Sequence, residues 1–364
     1  MVKRELLIVV GFGLVGGVAY QLTAVRRPDD APRFSLSSLL SSWRDRATRS
    51  ATRATVETIG TLAVSRQLSE IRISAAARLT VVGEDRDDIA WRLTVEATGR
   101  TEEAARAEAS QTALEADDLG DVLSIRVRPG SDARPVSDVT LRVPARLQIR
   151  AEQSRQARFE RVAGVRLENL VGDVSVDRAA GEVTGSHRNG TLRVRESGAV
   201  RLTLVGSTAT FERTAGETIL VSRNGQTRVE GPAGPVSLDT TNDTVVVTTP
   251  AWTVRANSTG GDLTIEHPRE AVHLDTRRTA VTLVLDRAVP ITAISADGPV
   301  ALRLIGTVPI ALDAAAIEGL IAAEAFGLTP ERTRDDSRLQ HQFGDTARVS
   351  IRNTRGPIVI ASGK

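Results

Sequence analysis

The sequence predicts an all-β protein: a parallel β-solenoid (β-helix) of about 18 residues per coil, with an N-terminal transmembrane helix. Three observations predict this class. Short segments of alternating apolar and polar residues recur at a nearly constant spacing, and Asn or Gly recurs at one phase of that spacing. An apolar run of roughly 20 residues, the length that spans a bilayer as a helix, opens the chain.

Composition excludes several classes of function. With 364 residues, of which 41% are hydrophobic, the chain can bury a core. It contains no cysteine, which rules out disulfides, thiolate metal sites, cysteine nucleophiles and a lipid-modified cysteine. The formal charge of +2 implies no strong field for nucleic acid.

The repeat is carried by eight five-residue windows, and the spacing from each start to the next is about 18 residues throughout. A second series of short segments lies half a period out of phase, so each unit predicts two half-buried strands. The windows are Gly172–Val176, Gly190–Val194, Ser207–Phe211, Gly225–Val229, Asp243–Val247, Gly261–Ile265, Thr279–Leu283 and Gly298–Leu302.

The residue before each window indicates a corner in the chain. Five of these eight residues are Asn or Gly, which tolerate a positive φ, so the pattern predicts a left-handed corner once per coil. A meander of β-hairpins is the alternative, because Asn189-Gly190 and Asn224-Gly225 also suit hairpin turns. The eight residues are Val171, Asn189, Gly206, Asn224, Asn242, Gly260, Arg278 and Asp297.

The N-terminal run, Leu6 to about Val25, admits three interpretations. A signal-anchor helix is favoured, and a cleaved signal peptide is the second. The third is a dinucleotide-binding fingerprint, since residues 11–16 match G-x-G-x-x-G, but no strand–helix alternation follows. Basic residues flank both ends of the run, so orientation is ambiguous; we expect the large domain outside the cytoplasm.

The predicted organisation has five parts. Residues 1–27 are the membrane anchor, 28–55 a Ser/Arg-rich linker, and 56–160 a β-rich opening part with one helix over Thr101–Leu114. Residues 161–312 carry the regular repeats, and 313–364 an irregular excursion with a final capping coil. Within the last part, 314–323 predicts a short helix or irregular strand, 329–342 a polar loop, and 347–351 with 356–360 the closing strands.

The strand and turn patterns resemble a known family. The segments Ile71–Asp85 and Leu141–Pro144, the repeats, and Gly356–Ile360 look like the bacterial putative-adhesin family of unknown function, with short β-strand repeats related to bactofilin and head-domain solenoids. The resemblance covers roughly residues 60–362 and implies a fold. It carries no catalytic residues, and it implies attachment to, or export across, a membrane.

The sequence predicts no catalytic, cofactor-binding or metal-binding residue. Glu212 and Glu230 are the best carboxylate pair, on adjacent coils, yet the arginines around them favour a salt-bridge ladder. His187, His267, His273 and His341 are too scattered for a metal cluster, and His273 is expected at the surface.

The position of a residue within the repeat also predicts whether its side chain lies in the core or at the surface. Phe211 and Trp252 fall at positions that predict core packing. Arg193 and Arg228 share an outward phase, with Thr210 between them, which is too short a stripe for a nucleic-acid groove.

The sequence therefore predicts a non-enzymatic, membrane-anchored envelope solenoid that serves as a scaffold or an adhesion and interaction module. Expected partners are the membrane, through the N-terminal helix, and an envelope protein, a polysaccharide or a second copy; no nucleic acid and no cofactor are expected. The alternatives are a carbohydrate-active parallel β-helix enzyme and a membrane-tethered envelope-stress sensor.

Overall fold

Strands make up most of the computed structural model, which describes residues 52–74, 78–130, 136–344 and 346–363. Helix in these ranges is limited to one α-helix and one short 3₁₀ helix, so the predicted all-β class is confirmed. No helix in the described part of the chain is both long and apolar enough to cross a membrane. The predicted transmembrane helix, residues 1–27, lies outside the described residues.

The described residues of the opening part form nine strands and one helix. The first of these strands begins at Thr52, so the predicted linker over 28–55 overlaps it at residues 52–55. The elements are β1 (Thr52–Ala63), β2 (Glu70–Ser74), β3 (Arg78–Glu84), β4 (Asp88–Gly99), α1 (Glu102–Ser110), β5 (Ala113–Asp118), β6 (Val122–Arg128), β7 (Val136–Pro144), β8 (Gln148–Glu152) and β9 (Gln156–Glu160).

The regular part and the closing part contain the remaining strands. The regular part has β10 (Gly164–Val171), β11 (Asp173–Asp177), β12 (Val183–Arg195), β13 (Val200–Glu212), β14 (Thr218–Arg223), β15 (Gln226–Glu230), β16 (Val236–Thr248), β17 (Val254–Glu266), β18 (Val272–Leu285), β19 (Ile291–Ala296) and β20 (Val300–Ile305). The closing part has β21 (Ile310–Ile317), β22 (Ile321–Ala322), η1 (Glu324–Phe326), β23 (Glu331–Arg332), β24 (Asp336–Gln342), β25 (Ala347–Thr354) and β26 (Ile358–Gly363).

Helix α1 begins where the sequence predicts but ends early. The Thr101 side chain accepts a hydrogen bond from the backbone N–H of Ala104 at 3.2 Å, which caps the first turn. Ala105 and Ala109 are buried on one face. The predicted helix to Leu114 is wrong at its end, because that residue lies in β5, which pairs antiparallel with β6.

Neighbouring strands of the regular part run parallel, one period apart in the chain. Val236 on β16 is opposite Val254 on β17, and Val245 is opposite Leu263, so the offset along the chain is the same at both positions. A hairpin meander would make these pairs antiparallel. The inward side chains of the first strand series, such as Val174, Leu192 and Phe211, are buried in one hydrophobic core, as their phase predicts.

The predicted corners have the predicted geometry. Seven of the eight residues that precede the windows have a positive φ, all except Val171. At Asn224, whose φ is 55°, the backbone N–H donates to the carbonyl of Thr241, one strand further, at 3.0 Å. The strand-to-strand hydrogen bonding therefore continues through the turn, and Asn supplies the left-handed conformation at little cost.

Both ends of the stack have a strand order that differs from the chain order. At one end, β2 lies between β8 and β6, and β3 lies between β9 and β7; β4 then joins β7 antiparallel, and β1 joins β4. At the other end, β25 lies between β19 and β21, and β26 lies between β20 and β22. The last two strands in the chain, β25 and β26, therefore have no free edge, because each lies between two strands that precede it in the chain.

One expectation for the closing part is wrong, and a second is confirmed in one of its two alternatives. The predicted polar loop over 329–342 contains β23 and β24, which add antiparallel strands outside β21. The alanine-rich 314–323 segment is mainly strand, as the strand alternative predicts, and Ala314 and Ala316 fill inward positions of β21.

Candidate functional site

One outward row of side chains crosses eight consecutive strands and consists only of arginine and hydroxyl residues. We call it the arginine–hydroxyl row. Pairing registers place its members opposite one another, strand by strand, from β4 to β15. In spatial order they are Arg92, Thr140, Thr80, Arg158, Ser175, Arg193, Thr210 and Arg228.

The arginines of the regular part are evenly spaced and accessible. Adjacent strands are about 4.8 Å apart, so Arg158, Arg193 and Arg228, two strands apart each time, recur about every 10 Å. Between 48% and 65% of each side chain is exposed. Their strands alternate inward and outward residues, which is why all three point to the same side.

The sequence prediction for this row is confirmed in part. Arg193 and Arg228 do share one outward row with Thr210 between them. Arg158 was missed, although extending the repeat one period towards the N-terminus would have found it. Arg92 has no such signal, because β4 runs antiparallel to its neighbour and is not part of the repeat.

A row of acids lies beside the arginines. Arg193 Nη2 is 2.6 Å from Glu212 Oε1, and Arg195 Nε is 2.9 Å from Glu212 Oε2. Arg228 forms an ion pair with Glu230. Arg158 is held more loosely, with its Nη2 atom 3.6 Å from Glu160.

The carboxylate pair identified in the sequence has a structural role in this row. Glu212 and Glu230 are opposite each other on adjacent strands, as predicted. Burial disfavours ionisation of Glu212, but the hydrogen bonds and charges of Arg193 and Arg195 outweigh it and hold the pKa of that carboxyl below its usual value. Each glutamate is therefore committed to an arginine, as in a salt-bridge ladder.

An open groove of about 470 Å³ lies over β3, β9, β11 and β12. Its charged lining consists of three arginines and one aspartate. Arg78 and Arg158 are each 3.6 Å from their acids, beyond hydrogen-bond distance, so their guanidinium N–H groups can bind a ligand. The polar and charged lining residues are Arg78, Thr80, Gln156, Arg158, Asp173, Ser175, Thr191 and Arg193.

The histidines and Trp252 do not form a site. His273 is exposed, as expected, but the prediction that Trp252 packs in the core is wrong, because 57% of it is exposed. Phe211 is fully buried, as predicted. Within the described ranges, no group of three or more His, Asp or Glu side chains could hold a metal ion.

His187 is buried, which the sequence pattern did not reveal. Its Nε2 atom is 2.7 Å from the carbonyl oxygen of Gly172, which can only accept, so Nε2 donates. Its Nδ1 atom is 2.9 Å from Ser207 Oγ. Burial lowers the pKa of His187, so the imidazole is a neutral, solvent-excluded link between strands.

Another buried ionisable group is the carboxyl group of Asp243 on β16. Asp243 is 1% exposed, its Oδ2 atom accepts a hydrogen bond from Thr227 Oγ1 at 3.4 Å, and its Oδ1 atom has no partner. Ser222 Oγ is 3.2 Å from Thr227 Oγ1. Burial raises the pKa of Asp243, since water is excluded from the charged form.

Comparison with known proteins adds structural likeness alone. No protein-family model and no curated protein matches the chain. A putative adhesin from Parabacteroides merdae is 14% identical, covers 68% of this chain and 95% of its own, and has a TM-score of 0.39. A putative adhesin from Parabacteroides distasonis is 10% identical over 84% of this chain and 97% of its own, with a TM-score of 0.30. A putative lipid binding protein from the same species is 8% identical over 84% and 96%, with a TM-score of 0.27. At these values we transfer no property from them.

Proposed function

We propose that this protein is a membrane-anchored β-solenoid of the cell envelope that binds a linear anionic polymer along the arginine–hydroxyl row, without chemical turnover. The row itself is the observation that carries the proposal. The parallel register at an offset of one period supports the solenoid, and the apolar N-terminal run supports the anchor. We place the large domain outside the cytoplasm.

The chemistry of the row suits repeated anionic groups. A guanidinium presents a planar fork of donors that matches a carboxylate, sulfate or phosphate, and neighbouring hydroxyls add neutral hydrogen bonds. Three of the side chains that line the groove are arginines, and the acids beside Arg78 and Arg158 are 3.6 Å away, beyond hydrogen-bond distance. These free guanidinium donors favour an anionic ligand over a neutral one.

The geometry suits a polymer better than a small molecule. The groove is open, four strands contribute to it, and the row extends beyond it over β13 and β15. Strand-to-strand hydrogen bonds hold the arginine backbones at fixed spacing. Little conformational entropy is then lost from the protein backbone when an extended chain binds along it.

The carbohydrate-active enzyme, the main alternative, receives no support from the row. A glycosidase needs one protonated and one ionised carboxyl group flanking the substrate. Glu212 and Glu230 are both engaged by arginines on the protein surface. We therefore assign them to positioning arginine side chains.

The test compares two triple variants of the full chain in detergent. The first is Arg158→Gln with Arg193→Gln and Arg228→Gln; the control changes three exposed arginines on the other strand series to Gln. With about 0.5 kcal/mol for each exposed charge contact, the first variant loses roughly tenfold in affinity for dextran sulfate, and the control changes little. The control arginines are Arg166, Arg201 and Arg255.

Two results would contradict the proposal. One is an equal loss in both triple variants, which would indicate diffuse charge attraction. The other is equal binding of uncharged dextran of the same length. Affinity must also fall as sodium chloride is raised, because salt screens exposed charges.

The side of the membrane needs its own experiment. A reporter active only outside the cytoplasm is fused after Lys364, and N-terminal cleavage is followed on blots of the same cells. An active, uncleaved fusion is expected. A cytoplasmic result would overturn the envelope location and indicate that the arginines following the apolar run set the orientation.

A further inference from the structure

Four of the described strands have an unpaired edge. They are β1, β5, β22 and β23, each of which pairs with a single neighbour. β22 and β23 have two residues each, too few for stable pairing with another chain. β1 has 12 residues and β5 has six, so these two strands are long enough to pair with another chain.

β5 is protected against pairing and β1 is not. Three of the six β5 residues are acids, and a second copy laid beside it would bring like charges together. β1 contains no proline and no lysine, the common devices that guard an edge, and it is rich in threonine. Its Ile59 is 69% exposed, more than any other large hydrophobic residue in the described part of the chain.

The charges on β1 are complementary to those of a second copy. Arg53 and Glu57 are separated by an even number of positions along the strand, so both project from the same side. In an antiparallel pair centred on Thr55, Arg53 of each copy is opposite Glu57 of the other. A parallel, in-register pair would instead set each charge opposite its own kind.

We propose that β1 pairs antiparallel with β1 of a second copy, with the twofold axis at Thr55, to form a dimer with one continuous sheet. Opposite-charge pairs across strands are favourable, and a twofold interface uses the same patch on both copies. The inference does not depend on the polymer-binding proposal. The dimer contains two arginine–hydroxyl rows, and each row begins at Arg92 on β4, the strand next to β1.

Disulfide cross-linking tests the register directly, because the chain has no cysteine of its own. The full chain in detergent is compared as Thr55→Cys and Thr61→Cys, two exposed residues on the same side of β1. In the proposed dimer the two cysteines introduced at position 55 face each other, whereas the two copies of position 61 are roughly 40 Å apart along the strands. We expect a covalent dimer from the first variant and not from the second.

Charge reversal provides a rescue that a folding defect would not mimic. Arg53→Glu alone and Glu57→Arg alone each set like charges opposite one another and weaken the dimer. Mixing the two variants restores opposite charges at both positions, so heterodimers form where neither homodimer does. The contacts that these residues make within one copy, with Glu96 and Arg92, are not repaired by mixing.

The result that overturns the proposal is equal cross-linking at positions 55 and 61, or none at either. A lack of heterodimer in the mixture would do the same. Pairing of β1 with another segment of its own chain would appear as a monomer in every variant, which also contradicts the dimer.

Discussion

Three glycine substitutions separate two reasons for glycine in this fold. One row across the regular strands alternates glycine with a buried polar residue. Its members are Gly190, Ser207, Gly225, Asp243, Gly261, Thr279 and Gly298. A glycine in this fold can be required for a positive φ, for close approach of a neighbouring backbone, or for both, and Gly306, outside the row, isolates the first of these reasons.

Each reason has its own test position. At Gly306, φ is +71° and a Cβ would meet nothing within 4 Å, so Gly306→Ala introduces backbone strain alone. At Gly225, φ is ordinary, but a Cβ would be 2.3 Å from the carbonyl oxygen of Ser207. At Gly261, φ is +84° and a Cβ would be 2.1 Å from the carbonyl oxygen of Asp243.

The expected losses in free energy of unfolding follow in order. Gly306→Ala costs about 1–2 kcal/mol, the strain of a left-handed residue with a Cβ. Gly225→Ala costs about 1–3 kcal/mol, because the neighbouring strand must move. Gly261→Ala combines both and is the most destabilising of the three.

Urea denaturation followed by far-UV circular dichroism measures these values. The variants are compared at one protein concentration, so that self-association does not enter the comparison. The reasoning is refuted if Gly225→Ala is no more destabilising than a substitution at an uncrowded position with ordinary φ. It is also refuted if Gly261→Ala is milder than Gly306→Ala.

Three further predictions concern side chains. Asp243→Asn removes a buried carboxyl group whose pKa is raised, and the stability of the natural chain falls as pH rises from the ordinary Asp pKa to that raised value. The variant is therefore more stable than the natural chain by about 1–3 kcal/mol at pH 8 and no more stable at acidic pH. Urea denaturation at each pH measures this difference. Glu212→Gln releases Arg193 and raises the affinity for dextran sulfate several-fold; unchanged affinity would show that this ion pair does not compete with the ligand. Phe211→Ala leaves a cavity in the core and costs about 3–5 kcal/mol, checked by thermal unfolding.

The regular part could be predicted because its chemistry is local. Inward residues such as Val245 and Val247 alternate with outward ones, and the alternation alone identifies the buried face. The Asn and Gly corners are equally local, because a positive φ is a property of the single residue. These signals recur once in every period, which is why their register could be read.

A second set of left-handed corners gave no sequence signal. It includes Arg178, Glu196, Arg213, Thr249 and His267, residue types that rarely adopt a positive φ. In each case the backbone N–H donates to a carbonyl on the next strand, at 2.8 to 3.0 Å. The hydrogen bond between neighbouring strands offsets the local strain, so tertiary pairing determines the conformation.

Part of the candidate site could be predicted from the sequence, and part of it depends on the tertiary structure. Arg193 and Arg228 follow from the period, and their salt bridges with Glu212 and Glu230 follow from their proximity on neighbouring strands. Arg92 and Thr140 join the row only because β7 pairs with β3 and β4 pairs with β7, an order that differs from the order in the chain. No local pattern encodes that arrangement.

Side-chain alternation and the backbone freedom of single residues are enough to predict the all-β class, the period, the buried face and one set of corners. Only the folded structure shows the strand order at both ends, the second set of corners, the burial of His187 and Asp243, and the full length of the arginine–hydroxyl row. These depend on which distant segments cover the exposed strand edges. That choice depends on hydrogen bonding and burial summed over whole strands, which no short stretch of sequence contains.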